Sequence, residues 1–158
     1  MKSNTKEIDL EIAIEKALTG TSLEELKAQG ITNVLSEEAE LYGNKTGYHI
    51  GTPQQFNKKY AIDEYFFWRF LEETQREELE KVQKQNDWKL KILQRFDRMI
   101  KKYGILHLMR KGLEVDDAHF TLLYQSPLAS SAQKVKDNFK SNLFSETRQL
   151  KYSVENPL

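Results

Sequence analysis

Hydrophobic positions follow helical spacing over the first part of the chain. They predict a first helix over Lys6–Leu18, with its apolar stripe on Leu10, Ala13, Ile14, Ala17 and Leu18. A second, short helix is predicted over Ser22–Gln29, where Ser22 is a natural N-cap and Glu25, three residues later, completes a capping box. The remainder of residues 20–60 is predicted to be an irregular insert, with one short strand at Tyr48–Ile50.

The middle of the chain is predicted to be helical. Asp63 can cap a helix whose apolar face is Phe66, Phe67, Phe70 and Leu71. A longer amphipathic helix ends at Gly104, and its apolar positions are Ile92, Leu93, Phe96, Met99, Ile100 and Tyr103. A second stripe on the same helix is basic and consists of Lys91, Arg95, Arg98 and Lys102. This basic stripe is either a solvated helix face or a contact for nucleic acid.

The last third of the chain changes to strand patterns. A strand is predicted over His119–Gln125, a helix over Ser131–Leu143 and a final strand over Phe144–Val154. We expect the two strands to lie in one sheet, with the first helix packed nearby. Two strands alone make a marginal sheet, so the pattern predicts an α+β, helix-rich fragment with an incomplete mixed sheet, cut from a longer chain.

Composition excludes several classes of function. The 158 residues contain 24 basic and 24 acidic side chains, so the zero net charge gives no global case for nucleic-acid or membrane binding. Cysteine is absent, which excludes disulfides, thiolate zinc sites and cysteine nucleophiles. The chain has no apolar leader at its start and no apolar run of membrane-spanning length. We therefore expect a cytoplasmic protein without membrane contact.

Common catalytic motifs are missing, and one acidic pattern remains. Gly43–Thr46 ends like a phosphate-binding loop but lacks the required glycines, and the three histidines have no ligand spacing. Glu7, Glu11 and Glu15 recur every four residues along the first helix. Like charges at this spacing repel each other, by ~0.2–0.5 kcal/mol per pair. The row is either a solvated face or the source of a carboxylate that joins a divalent-metal site.

Several stretches, in order along the chain, resemble the N-terminal nuclease region of the R (restriction) subunit of type I restriction–modification enzymes. The early block is Gly47-Tyr48 followed by residues 60–63, and the next is residues 70–75, where a helix ends in Thr-Gln. The later blocks are residues 106–112, which contain Arg-Lys-Gly, and the strand at residues 120–124. The most specific block is residues 144–153, which contain Thr-Arg-Gln and then Tyr-Ser. Together these blocks cover about residues 5–158.

The resemblance implies a restriction-endonuclease-like domain of the PD-(D/E)xK type, of which residues 1–158 would be the N-terminal portion. In the family, a helix supplies a Glu, and an Asp and a Glu-x-Lys follow the Tyr-Ser block. These residues hold Mg²⁺ for DNA cleavage. The Asp and the Glu-x-Lys would lie beyond residue 158, so we expect this chain alone to be inactive. The complete enzyme would couple double-strand cleavage to ATP-driven translocation by motor domains and would assemble with modification (M) and specificity (S) subunits.

The resemblance also assigns candidate site residues. Either Glu11 or Glu15 would be the catalytic Glu, and Glu15 is favoured as the Mg²⁺ ligand because it follows an apolar residue. Arg148, Gln149 and Lys151 are the favoured DNA contacts, since their strand would lead into the catalytic Asp. The alternative role of Arg148 is pairing with Glu146 or a buried acid. A different class of function also remains open: a non-catalytic helical interaction or DNA-binding module with one basic face.

Overall fold

The computed structural model describes residues 3–36, 39 and 47–148, and this part of the chain combines helices with short strands, which confirms the α+β class. The helices are α1 (Ser3–Thr19), α2 (Leu23–Ala28), α3 (Glu64–Thr74), α4 (Arg76–Gln83), α5 (Trp88–Tyr103), α6 (Ile105–Lys111) and α7 (Gln133–Lys140). The strands are β1 (Tyr48–Ile50), β2 (Phe56–Asn57), β3 (Ile62–Asp63), β4 (Leu113–Val115), β5 (Ala118–Phe120) and β6 (Phe144–Glu146).

The chain forms two compact units. The terminal unit comprises residues 1–58 and 143–158, and the central unit comprises residues 59–142. In the terminal unit, an apolar core is built from Leu26, Ile31, Ala39 and Ile50. The central unit has its own core, in which the most deeply buried side chains are Leu71, Leu79, Val82, Ile92, Leu108, Leu113 and Phe120.

In the terminal unit, β1 and β6 pair in parallel. Tyr48 is opposite Phe144 and Ile50 is opposite Glu146, and the Tyr48 and Phe144 rings stack with their centroids 5.0 Å apart. Helix α1 packs against both strands, as expected for the first helix and the Phe144 strand. The short strand at Tyr48–Ile50 is also confirmed. The remainder of the strand predicted to reach Val154 lies, from residue 149 onward, outside the described residues.

The expectation that the Phe120 and Phe144 strands share one sheet is wrong. Phe120 in β5 pairs instead with Leu113 in β4, in an antiparallel hairpin whose turn contains Asp116 at φ 53°. Only two residues separate these strands, so their pairing closes a very short loop at low entropic cost. Sequence periodicity showed the β5 strand but gave no information about its partner.

The predicted strand over His119–Gln125 is shorter in the structure because side-chain amides take over its backbone pairing. Gln75 Oε1 accepts a hydrogen bond from Thr121 N (2.6 Å), and Gln75 Nε2 donates one to Thr121 O (2.8 Å). Asn142 binds Tyr124 in the same two-point manner, at 2.9 and 2.8 Å. The backbone of residues 121 and 124 is therefore satisfied without a neighbouring strand.

The buried face of α1 differs from the predicted one. Leu10 and Ile14, on the predicted apolar stripe, are 61% and 46% exposed, whereas Glu15 and Thr19 are 0% exposed. The buried face runs through Ile8, Ile12, Glu15 and Thr19, which recur at helical spacing. A carboxylate can occupy such a position only if its lost hydration is replaced. Leu23 N–H and the Arg148 guanidinium replace it for Glu15.

The other helix predictions are confirmed with small changes in length. Asp63 caps α3 by accepting a hydrogen bond from Phe66 N at 3.2 Å, and α5 ends at Gly104, which has φ 81°. Helix α7 lies within the predicted Ser131–Leu143, with no buried residue. Within the described ranges, every helix is too short or too polar to cross a lipid bilayer.

Candidate functional site: a buried glutamate–arginine pair

Glu15 lies in the last turn of α1, and its carboxylate binds the start of the next helix. Leu23, the first residue of α2, donates its backbone N–H to Glu15 Oε2 at 3.0 Å. Ser22 caps the same helix by accepting from Glu25 N at 3.2 Å, which confirms the predicted N-cap, while the Glu25 carboxylate of the predicted capping box accepts from Thr21 Oγ1 at 3.2 Å and pairs with Lys16. The connection between α1 and α2 is therefore fixed by side chains from both ends.

Arg148, shortly after β6, supplies the countercharge to Glu15. Arg148 Nε lies 3.2 Å from Glu15 Oε1, and their side chains are 8% and 0% exposed. Arg148 Nη2 donates to both carboxylate oxygens of Glu24, at 2.8 and 3.1 Å. Pairing of Arg148 with a buried acid was the alternative role predicted for it, and the structure confirms this pairing. Two carboxylates hold the guanidinium in place, because a planar fork can bind both.

Glu146, on β6, brings a further carboxyl group to the pair. One of its oxygens, Oε2, is buried without a hydrogen-bond partner, and the same is true of Glu11 Oε2 on α1. Burial and the negative charges of Glu15 and Glu11 together raise the pKa of Glu146 from 4.5 to about 7, against the lowering effect of Arg148. Burial likewise raises the pKa of Glu15, although Leu23 N–H and Arg148 oppose this. We call Glu11, Glu15, Glu24, Glu146 and Arg148 the acidic cluster.

The carboxylates of the acidic cluster differ in how their oxygens are engaged. Glu15 Oε2 accepts from Leu23 N–H, whereas Glu15 Oε1 forms an ion pair with Arg148 that lacks hydrogen-bond geometry, so a cation at Glu15 would compete with Arg148. The buried oxygens of Glu11 and Glu146 are of the hard type that Mg²⁺ prefers. Across the described ranges, however, no three His, Cys, Asp or Glu side chains are grouped as a metal centre requires.

Of the residues predicted for the site, the structure brings together Glu11, Glu15 and Arg148. Gln149 and Lys151, the other predicted DNA contacts, lie outside the described residues. Sequence reasoning missed Glu24 as a partner of Arg148. It also placed Glu146 near Arg148 without indicating that its carboxyl would be buried.

The predicted basic stripe lies in the central unit, on α5. The first three of its residues line a cavity of about 510 Å³ together with the β4–β5 hairpin, and the lining residues are Lys91, Gln94, Arg95, Arg98, Glu114, Val115 and Asp116. Lys91 Nζ forms an ion pair with Asp116 at 2.5 Å, and Arg95 Nε donates to the Glu114 carbonyl at 3.1 Å. The structure therefore presents two separate polar features, one in each unit.

Comparison of the chain with protein-family models, with curated proteins and with solved structures gave no match.

Proposed function

We propose that this chain is the N-terminal part of a DNA-cleaving domain similar to the nuclease region of type I restriction R subunits. The observation that carries the proposal is the 3.2 Å contact between Glu15, on the first helix, and Arg148, in the Thr-Arg-Gln block. The resemblance requires these two segments to converge, because the helix carries a site Glu and the block leads into the catalytic strand. They are 133 positions apart in the sequence (148 minus 15), so no local preference brings them together.

The pairing of β1 with β6 supports the same proposal. The two strands are parallel, and α1 packs against both of them. A parallel pair with a helix on one face is a partial form of the mixed sheet expected for a PD-(D/E)xK domain. In the proposed domain, the catalytic Asp and Glu-x-Lys would extend this sheet and hold Mg²⁺.

Within the proposed domain, Glu15 is a positioning residue. It binds the N–H of Leu23 and faces the guanidinium of Arg148, so it fixes both α2 and the segment that follows β6. Glu11 is then the better candidate for a carboxylate that approaches the metal, because its buried Oε2 has neither a hydrogen bond nor an ion pair among the described residues, whereas Glu15 Oε1 is paired with Arg148. Arg148, with an 8% exposed side chain, would act through this framework rather than by contacting phosphate.

The proposed biology follows from the resemblance. The complete protein would be a cytoplasmic hydrolase that cuts foreign DNA, with ATP used by its motor domains and with M and S subunits as partners. Its contacts with DNA would be to the phosphate backbone, because a nuclease that cuts at sites reached by translocation does not read the bases there.

Plasmid cleavage in the presence of Mg²⁺ tests this proposal. We expect the complete gene product, assembled with its partners and supplied with ATP, to linearise plasmid DNA, and the 158-residue chain alone to leave it supercoiled. The Glu11→Gln variant of the complete protein should lose cleavage and retain DNA-stimulated ATP hydrolysis. The proposal would be contradicted if the isolated 158-residue chain cleaved the plasmid and the Glu11→Gln substitution did not change the rate of that cleavage.

A second candidate function is a non-catalytic module that binds nucleic acid through its basic face. It is favoured by α5, where Arg98 and Lys102 are exposed and have no carboxylate partner in the described part of the chain. A complete gene product that binds DNA but never cleaves it, under any combination of Mg²⁺ and ATP, would select this function.

A further inference from the structure

The cations along one side of α5 differ in how they are neutralised. We call Arg95, Arg98 and Lys102 the α5 cation face. Lys91, one helical turn before Arg95, is held by Asp116, and Lys101 is held by Asp97 at 2.7 Å. By contrast, no described carboxylate forms an ion pair with a member of the α5 cation face. Their charges are therefore available to an anionic partner.

The cavity beside the α5 cation face has the chemistry of a phosphate contact. Arg95 donates its Nε–H to the Glu114 carbonyl, which orients the side chain, and its terminal N–H groups take no part in this bond. Arg98 lines the same cavity of about 510 Å³. Asp116 also lines it but is neutralised by Lys91, so Glu114 is the single lining acid with no ion pair in the described structure. Guanidinium groups match phosphate oxygens in geometry as well as charge.

An exposed aromatic pair lies at the end of the α5 cation face. The rings of Tyr103 and His107 stack with centroids 4.8 Å apart and planes at 22°. Tyr103 is 47% exposed, and Lys102 Nζ lies 4.9 Å from the centroid of its ring. His107 is also exposed, so the stacked pair is accessible to a ligand. Stacked rings next to cations are the elements with which proteins hold unpaired bases.

We propose that the α5 cation face and the Tyr103–His107 pair bind single-stranded DNA. The choice of DNA rests on the proposed function, whereas the single-stranded character rests on the exposed rings, because bases inside a duplex cannot stack on protein side chains. Arg95 and Lys102 are seven residues apart, which on an α-helix is roughly 10 Å. This length exceeds one sugar–phosphate unit of an extended strand, so the face can contact more than one phosphate of the same strand.

An acidic protein segment is the main rival for this surface. It would satisfy the three cations equally well, but it would gain nothing from two stacked rings directed at solvent. The aromatic pair therefore favours nucleic acid over an acidic peptide, and the experiment below includes both.

Fluorescence anisotropy of a labelled 20-nucleotide oligo-dT, titrated with the 158-residue chain between 50 and 200 mM salt, tests the proposal. We expect the triple variant Arg95→Ala/Arg98→Ala/Lys102→Ala to bind at least about tenfold more weakly at 50 mM salt, with a salt slope smaller by about 2. The matched control is Lys84→Ala/Lys134→Ala/Lys140→Ala, which removes the same charge from exposed positions of the central unit. The control should retain most of the affinity.

The aromatic pair is tested separately. We expect Tyr103→Ala/His107→Ala to weaken binding of oligo-dT by at least about fivefold and to leave binding of a 20-base-pair duplex unchanged. Arg98→Gln/Lys102→Gln serves as a second cation variant, because neither side chain forms a hydrogen bond or an ion pair with the described residues, and Lys102 lies over the exposed Tyr103 ring. This variant must weaken binding even if the triple variant unfolds.

Several results would overturn the proposal. They are the absence of oligo-dT binding at 50 mM salt, equal weakening by the control variant, tighter binding of a poly-glutamate peptide than of oligo-dT, and equal loss of duplex and single-strand binding when the rings are removed. These are all binding results, so they would not bear on the nuclease proposal, which the plasmid assay tests. Conversely, a failed plasmid assay with intact oligo-dT binding would count against the nuclease proposal alone.

Discussion

Glu15 and Arg148 form an ion pair in which both side chains are almost completely withdrawn from water. Their Oε1 and Nε atoms are 3.2 Å apart, and the side chains are 0% and 8% exposed. Removing one partner of such a pair leaves the other charged and buried, which commonly costs 3–5 kcal/mol. The pair therefore links α1 to the segment after β6, and loss of either side chain alone should destabilise the fold.

We expect Glu15→Ala to lower the free energy of unfolding by roughly 2–4 kcal/mol, because Leu23 N–H also loses its acceptor while Glu24 still compensates part of the Arg148 charge. Urea denaturation of the 158-residue chain measures this. The control Glu7→Ala, at an exposed position on the same helix, should change stability by no more than about 0.5 kcal/mol. Equal effects of the two substitutions would contradict the importance of the pair.

Stability should fall as pH rises through the range in which Glu146 ionises. Its pKa is raised from 4.5 to about 7 in the folded chain, so folding favours the protonated form. This contribution is fully present below the unfolded pKa and is lost as pH rises to about 7. We expect a loss on the order of 1–2 kcal/mol between pH 5 and pH 7.5, because partial exposure of Glu146 to solvent reduces the effect.

Glu146→Gln isolates this contribution. The variant should be more stable than the parent chain at pH 7.5, and its stability should vary less between pH 5 and pH 7.5. Glu80→Gln, an exposed carboxylate in the central unit, should leave the pH profile of the parent unchanged. The predicted direction of the pH effect would be wrong if the parent chain became more stable between pH 5 and pH 7 and the Glu146→Gln variant did not.

Gln75 should contribute strongly to the central unit, because its amide satisfies both backbone groups of Thr121. We expect Gln75→Ala to cost roughly 1–3 kcal/mol, since Thr121 N–H and C=O lose their partners in a half-buried position. Hydrogen exchange at the Thr121 amide should accelerate. The matched control is Gln83→Ala, on the exposed side of α4. In this variant the Thr121 amide should exchange as slowly as in the parent chain.

Gly112 is the position where the hairpin tolerates no side chain. It has φ 78°, and an added Cβ would lie 2.5 Å from Phe120 O and 2.7 Å from His119 Nε2. Gly112→Ala should therefore destabilise the chain by more than Gly104→Ala. Gly104 has a similar φ of 81°, with ψ 161°, but open space around it, so its substitution should cost only the backbone strain of roughly 1–3 kcal/mol. Equal melting temperatures of the two variants would contradict the close approach at Gly112.

Local signals in the sequence predicted much of the secondary structure. Ser22, Asp63 and Gly104 act through neighbouring residues, so their roles as caps and stops could be predicted. The face of α1 could not be predicted, because Glu15 is buried through bonds to Leu23 and to the distant Arg148. The length of the β5 strand was also unpredictable, since the amide that ends it, Gln75, lies 46 residues away from Thr121. Contacts with residues far away in the sequence do not affect the hydrophobic periodicity from which helices and strands were predicted.

The role of the Glu15–Arg148 pair is tested most directly by the rate of Mg²⁺-dependent plasmid cleavage by the complete protein with changes in that pair. Glu15→Gln and Arg148→Lys preserve the size of each side chain approximately and weaken the pair, and Glu7→Gln is the matched control. We predict that the first two variants, confirmed as folded by circular dichroism, cleave at least about tenfold more slowly, while Glu7→Gln cleaves like the parent. Parent-like cleavage by both folded pair variants would contradict the proposal that this pair positions the cleavage site.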